Sequence, residues 1–161
     1  MTFFKFNLTG KIFFLSVIFF SSITAFAQKY YFDNYSVKEG LAQSSVYAIQ
    51  QDSKGFVWLG TASGLSKFNG KDFINFSTED GLADGAVKSI YIDKKEAIWT
   101  GHTDGGLSRI NGEKMSMILN IGADITSIAE DGEGNLWVTS FKSGAIKITN
   151  PYISNTDSIV F

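Results

Sequence analysis

The chain has one histidine, His102, two residues before Asp104 in the stretch GHTDGG. A histidine beside a carboxylate can serve as a general base or hold a polar ligand. A hydrolytic triad needs such a histidine together with a nucleophile, but a single histidine among 161 residues leaves that arrangement without support. The plainer reading of His102 is a solvated loop residue. The chain has no cysteine, which excludes thiolate nucleophiles, thiolate metal sites and disulfides. Asp131, Glu133 and Asn135 alternate in DGEGN, as ligands do at the start of a calcium loop. There the pattern breaks: Leu136 stands where the loop needs glycine, and Lys142 where it needs its bidentate acid. A tight hairpin turn is the better reading. Glycoside hydrolysis needs two carboxylates facing each other across a bond; Glu79 and Asp80 are neighbours in a polar loop. No catalytic residue, metal or cofactor is expected.

The elements that would carry these residues announce themselves by repetition. AIQQDSKGFVWLGT, SIYIDKKEAIWTGH and SIAEDGEGNLWVTS each hold one tryptophan: Trp58, Trp99 and Trp137, spaced by 41 and then 38 positions. Val46, Ile49 and Asp52 recur as Val87, Ile90 and Asp93, then as Ile125, Ile128 and Asp131. Asn69-Gly70 recurs as Asn111-Gly112. Each unit parses into short strands. SVYAIQQD alternates, SKG turns, FVWLGT runs back, and LSKFN leads into a hairpin at Asn69-Gly70 before DFINF. Four strands in about 40 residues, with no amphipathic helix, are the mark of a β-propeller blade. A lone four-stranded sheet cannot cover its own faces, so the large apolar residues should pack sheet against sheet. The three tryptophans are expected there, where each contributes on the order of 2–3 kcal/mol.

The first 27 residues are of another kind. Lys5 and Lys11 precede the apolar run IFFLSVIFF, and Ala25-Phe26-Ala27 supplies a cleavage pattern. The uncharged stretch from Ile12 to Ala27 is shorter than the roughly 20 residues that a spanning helix needs. A signal peptide over 1–27, cleaved near Ala27, is expected. It would leave a periplasmic or secreted chain with no membrane span, whose net charge moves from −2 to −4. That mild acidity, without clustered Lys and Arg, argues against nucleic acid as a partner.

The fold class expected is therefore all-β: a partial propeller of about three four-stranded antiparallel blades over 28–161. The repeats fall at about 40–76, 81–118 and 122–161. An extra N-terminal strand, YYFDNY (30–35), is expected because YSVKEGLA matches FSTEDGLA, which ends one blade and opens the next. SIVF would close the third blade. Three blades are fewer than the four or more of a closed ring. The chain is thus read as a piece of a longer protein, or as one that assembles with further blades or with itself.

The first repeat resembles the two-component regulator propeller repeat. It carries the Gly40-Leu41 start, Val46 and Ile49, the Asp52/Gly55 turn, Trp58-Leu59-Gly60-Thr61 and Gly64-Leu65-Ser66-Lys67-Phe68. The second departs modestly, with Glu96 in place of the turn glycine and Trp99-Thr100-Gly101-His102 in place of the Trp-Leu-Gly-Thr phrase. The third lacks the Gly-Leu start. The resemblance, over roughly residues 28–150, implies the periplasmic sensing region of a two-component regulator, of the type common in Bacteroidota. In full-length relatives such propellers precede a membrane span and a histidine kinase or other output domain. Glycan-derived ligands, and no catalysis in this region, are part of that implication. The third repeat is also similar to blades of streptogramin lyase, which keeps a secreted propeller enzyme, lyase-like or glycan-acting, as the alternative. The Asp-x-x-Gly-x-x-Trp phrase resembles sialidase Asp-boxes too, but those are structural turns.

Strand order places SVKEGLAQSS, STEDGLADGA, GTASG and GHTDGG at one end of the sheets, and the DSKG and NGK hairpins at the other. Polar loops of varied sequence on a rigid frame are where ligands bind. Gln43, Asp84, His102 and Asp104 are the candidate ligand contacts.

Overall fold

The computed structural model describes residues 7, 9 and 30–152. The chain divides into two compact units, Met1–Asp33 and Asn34–Phe161. In the first, the segment from Tyr30 to Asp33 carries no regular structure. The expected signal peptide lies almost wholly outside the described residues.

Among its described residues the second unit is all β apart from two single-turn 3₁₀ segments. Strands β1 (Val46–Gln51), β2 (Val57–Thr61), β3 (Gly64–Phe68) and β4 (Phe73–Phe76) form one antiparallel sheet in sequence order. Strands β5 (Val87–Ile92), β6 (Ile98–His102), β7 (Gly106–Asn111) and β8 (Lys114–Asn120) form the second in the same order. Strands β9 (Ser127–Glu130), β10 (Leu136–Ser140) and β11 (Gly144–Ile148) form a third, three-stranded sheet among the described residues. Its expected fourth strand, SIVF, lies outside them. The register repeats: Trp58 pairs with Lys67, Trp99 with Arg109 and Trp137 with Lys147.

One expectation fails. YYFDNY is not a strand; Tyr31 and Phe32 are 85% and 87% exposed. A strand exists only as a rung in a ladder, and alternation in sequence does not supply the neighbouring rung. The end of that segment still behaves as its sequence match implies. Ser36 caps a 3₁₀ turn at Val37–Glu39 with a reciprocal Ser36/Glu39 box, and Gly40 closes it at φ 107°. Ser77 and Asp80 do the same around Thr78–Asp80, closed by Gly81 at φ 108°. Each turn delivers a buried leucine, Leu41 or Leu82. The next amide, on Ala42 or Ala83, donates to the hydroxyl of Ser66 or Ser108. Tyr35 packs on Phe68 and Phe73, with ring centroids 4.9 and 5.9 Å away.

Each β1–β2-type hairpin is held by one aspartate. The Asp52 carboxylate accepts from the Lys54 and Phe56 amides and from Trp58 Nε1. Asp93 accepts from Lys95, Ala97 and Trp99 Nε1, and Asp131 from Glu133, Asn135 and Trp137 Nε1. The six-residue spacing of Asp and Trp in the sequence is thus a hydrogen bond. The turn also requires a left-handed residue, supplied by Gly55, Glu96 and Gly134 at φ 87°, 64° and 84°. Glu96 is the strained member, since a Cβ disfavours that region.

The core lies between the sheets. Trp58, Leu65, Leu82, Val87, Ile98 and Ile110 join the first to the second. Trp99, Leu107, Leu119, Ile125, Leu136, Val138 and Ile148 join the second to the third. Trp58 and Trp99 are buried in equivalent layers, whereas Trp137, on the outer face of the third sheet, is 40% exposed. Close approach also needs glycine: a Cβ on Gly101 would collide with Ile125 and with the Ser89 hydroxyl.

Candidate functional site

The polar loops meet at one end, as strand order requires. Ala62 N–H donates to Ser45 O, and Thr103 N–H to Ala86 O, so each β2–β3-type loop is tied to the segment that enters its own sheet. His102 does not sit in the loop. It ends β6 and is 0% exposed, which corrects the reading of a solvated loop residue. It occupies the position of Thr61 in the first sheet and Ser140 in the third, both buried. The ring of His102 is enclosed by Thr100, Ser108 and the Asp84–Ala86 segment that enters its own sheet.

Its Nε2 lies 3.1 Å from Thr100 Oγ1 and 2.9 Å from Ser108 Oγ, the hydroxyl that also receives the Ala83 amide. Nδ1 is buried and makes no hydrogen bond of normal geometry, although the ring lies against the Asp84 and Ala86 backbone. Burial drives the imidazole below its ordinary pKa, and the Asp104 and Asp84 carboxylates only partly oppose this. His102 is therefore a neutral residue of the core near pH 7. That deprives a general base of access to substrate.

Asp104 and Asp84 are brought to the same end, close enough for His102 to feel both charges. Their carboxylates are spent locally. Asp104 accepts from the Gly106 amide and from Asn120 Nδ2, and Asp84 from the Ala86 amide at 3.4 Å. Gln43 is half-buried in the matching loop of the first sheet, where its Oε1 accepts from the Ser44 amide. Gln43 thus belongs to a different loop from the Asp84–His102–Asp104 group. The Asp131 carboxylate is spent on its own turn; it is held well below the usual range, first by the hydrogen bonds of Asn135, and Lys147 lies 3.5 Å away.

A feature the loop argument missed lies on the hairpin-turn side. Between the outer strands of the first two sheets is a cleft of 380 Å³. Trp58 and Phe76 form its aromatic wall, with centroids 5.9 Å apart. Lys54 and Lys67 line it, as do Asp52, Asp80, Glu96 and Glu113. The signal was in the repeats: a lysine two residues after the turn aspartate in the first two, and a cation opposite the tryptophan in all three. Lys67 lies 5.1 Å from the Trp58 ring, Arg109 5.3 Å from Trp99 and Lys147 5.7 Å from Trp137.

Comparison with known proteins agrees with this architecture. The two component regulator propeller repeat matches residues 40–63 and 121–142. "Histidine kinase P4" of Formosa agariphila is 44% identical over 62 residues, which are 36% of this chain and 4% of the kinase. Extracellular domains assigned to two hybrid two component systems of B. thetaiotaomicron superpose with TM-scores of 0.61 and 0.63, at 23% and 20% identity. They align with 70% and 74% of this chain, which spans 19% and 17% of theirs. Virginiamycin B lyase from Staphylococcus aureus matches with a TM-score of 0.55 at 21% identity, over 66% of this chain and 38% of the lyase. At such identities the structural matches speak for the fold alone. The sheets of this chain are β-propeller blades, and two of its repeats match the two component regulator propeller family.

Proposed function

We propose that the chain is a ligand-sensing propeller portion of a two-component regulatory sensor, exported after cleavage near Ala27, and that it binds without catalysing. The observation that supports this reading most is the pair of repeat matches, in sheets that gather varied polar loops at one end. Such a frame changes its ligand by loop substitution while the strands stay fixed. The burial of His102 weighs against the enzyme alternative, because the sole histidine cannot reach a bound substrate. The ligand class implied by the family resemblance is glycan-derived, and further blades or a second copy would cover the exposed face around Trp137. The test is a thermal-shift screen of the exported chain against oligosaccharides, followed by chemical analysis of any that bind. A ligand that raises Tm and is recovered intact supports sensing; a ligand consumed during the incubation refutes it. N-terminal sequencing should read from Gln28.

A further inference from the structure

The cleft between the first two sheets has a counterpart between the second and third, and there the space is filled. Tyr152 occupies it. Its ring meets Trp99 edge to face at 6.1 Å. Lys95 Nζ lies 3.8 Å from the ring centroid and the Arg109 guanidinium 5.1 Å. The hydroxyl is pushed up to a pKa of about 12, first by burial and then by the Asp93 and Glu130 charges. A phenol ring is thus seated against an indole, under two cations, beside a carboxylate.

Repeat register converts four walls of that socket, though not Glu130, whose counterpart is Ile92. Trp99 becomes Trp58, Lys95 becomes Lys54, Arg109 becomes Lys67 and Asp93 becomes Asp52. All four line the open cleft. The occupant is not repeated. With Trp137 aligned on Trp99, Pro151-Tyr152 stands where the preceding blade has Glu113-Lys114. The first cleft therefore has the walls of a phenol socket and no tyrosine of its own. Its 380 Å³ falls within the range of about 300–1,000 Å³ usual for small-molecule sites.

The two clefts differ at the rim in a way that selects a ligand. Glu96 and Glu113 line the open one, where the filled one has Gly134 and Pro151 in register. Asp80 lines it as well, so four carboxylates face two lysines. Glu96 is already drawn to the neighbouring turn, accepting from Ser53 Oγ at 2.7 Å. A negatively charged ligand is disfavoured in this field, and a cationic one is attracted.

We propose that this cleft binds the phenol ring of a small molecule whose remainder is neutral or positively charged. The ring stacks within the Trp58–Phe76 wall under Lys54 and Lys67, and the tail lies toward Glu96 and Glu113. Apart from Asp80, none of its lining residues belongs to the polar loops at the other end of the blades.

Tyramine is the probe, read by the indole N–H resonance of Trp58 in the purified chain, assigned with Trp58→Phe. A saturable shift at Trp58 is expected, with the Trp137 resonance unmoved. The acid analogue 4-hydroxyphenylacetate should bind more weakly, and the gap should narrow with added salt. Lys54→Ala, at an exposed position, should weaken tyramine about two- to fivefold, the loss of one cation–ring contact. The double variant Glu113→Pro/Lys114→Tyr should seat its own ring and abolish binding while the Trp99 resonance stays in place. If that variant fails to fold, Lys54→Ala alone decides the matter. The proposal is overturned if Trp58 shows no saturable shift up to the solubility limit of tyramine. It is equally overturned if Lys54→Ala binds as tightly as the parent chain, or if a folded double variant binds unchanged.

Discussion

Replacing Asp93 by alanine should unfold this chain more readily than the same change at Asp131, although both residues do the same job in the sequence. Asp93 is 3% exposed. Its carboxylate receives the Lys95 amide at 2.8 Å, the Ala97 amide at 2.9 Å and Trp99 Nε1 at 2.8 Å. Lys95 is exposed and its amide regains water, but Ala97 and Trp99 are 0% exposed. Asp93→Ala leaves both of those donors buried without an acceptor, at about 1–3 kcal/mol each. A loss of about 4 kcal/mol in total is expected, a large part of the stability of a small domain. At Asp131 one such donor is buried, the Asn135 amide at 2.9 Å, while Trp137 is 40% exposed and Glu133 is exposed. Water takes over at Trp137 and Glu133 but not at Asn135, so Asp131→Ala leaves one buried donor where Asp93→Ala leaves two, and should shift the midpoint by about half as much. Urea unfolding followed by far-UV circular dichroism compares the two. Equal losses at Asp93 and Asp131, or the reverse order, would refute the claim that burial between sheets sets the strength of this repeated hydrogen bond.

The same layering predicts that Trp99→Ala costs about 3–5 kcal/mol while Trp137→Ala costs much less, measured by the same unfolding curves. Gly101→Ala should destabilise by about 1–3 kcal/mol through overpacking against Ile125, whereas Gly85→Ala, where an added Cβ meets nothing within 4 Å, should be close to neutral. His102 is depressed below 6.5 by burial, so the unfolded chain binds its proton first as the pH falls. Stability should therefore decline on acidification from 6.5 down through the lower pKa of the folded state, and His102→Gln should flatten that part of the pH profile. Asp131 is depressed below 3.8 by the bonds of Asn135. Its contribution is present above 3.8 and is lost as the pH falls toward the folded value, a loss that Asp131→Asn removes.

Several features were legible in the residues because they depend on neighbours along the chain. The Asp–Trp spacing of six becomes a hairpin hydrogen bond wherever it is written, and the third turn residue must be left-handed even where it is Glu96. Ser36 and Ser77 cap their turns through residues three positions on. Strand order followed from short antiparallel connections, and with it the end at which the polar loops gather. YYFDNY misled because alternation states only that a segment could pair, not that a rung lies beside it.

The sequence by itself determined three copies of one sheet, each with the same pinned turn and the same tryptophan register, because those rest on local backbone chemistry. Only the tertiary structure decided what each copy's residues do, because that depends on what lies across from them. Trp99 is buried and Trp137 exposed for this reason. His102, written where the other sheets have Thr61 and Ser140, becomes a neutral core residue because Thr100, Ser108 and the Asp84–Ala86 segment enclose it. Tyr152 fills one inter-sheet socket and leaves its twin beside Trp58 open, since two residues far apart in sequence meet only when the sheets stack.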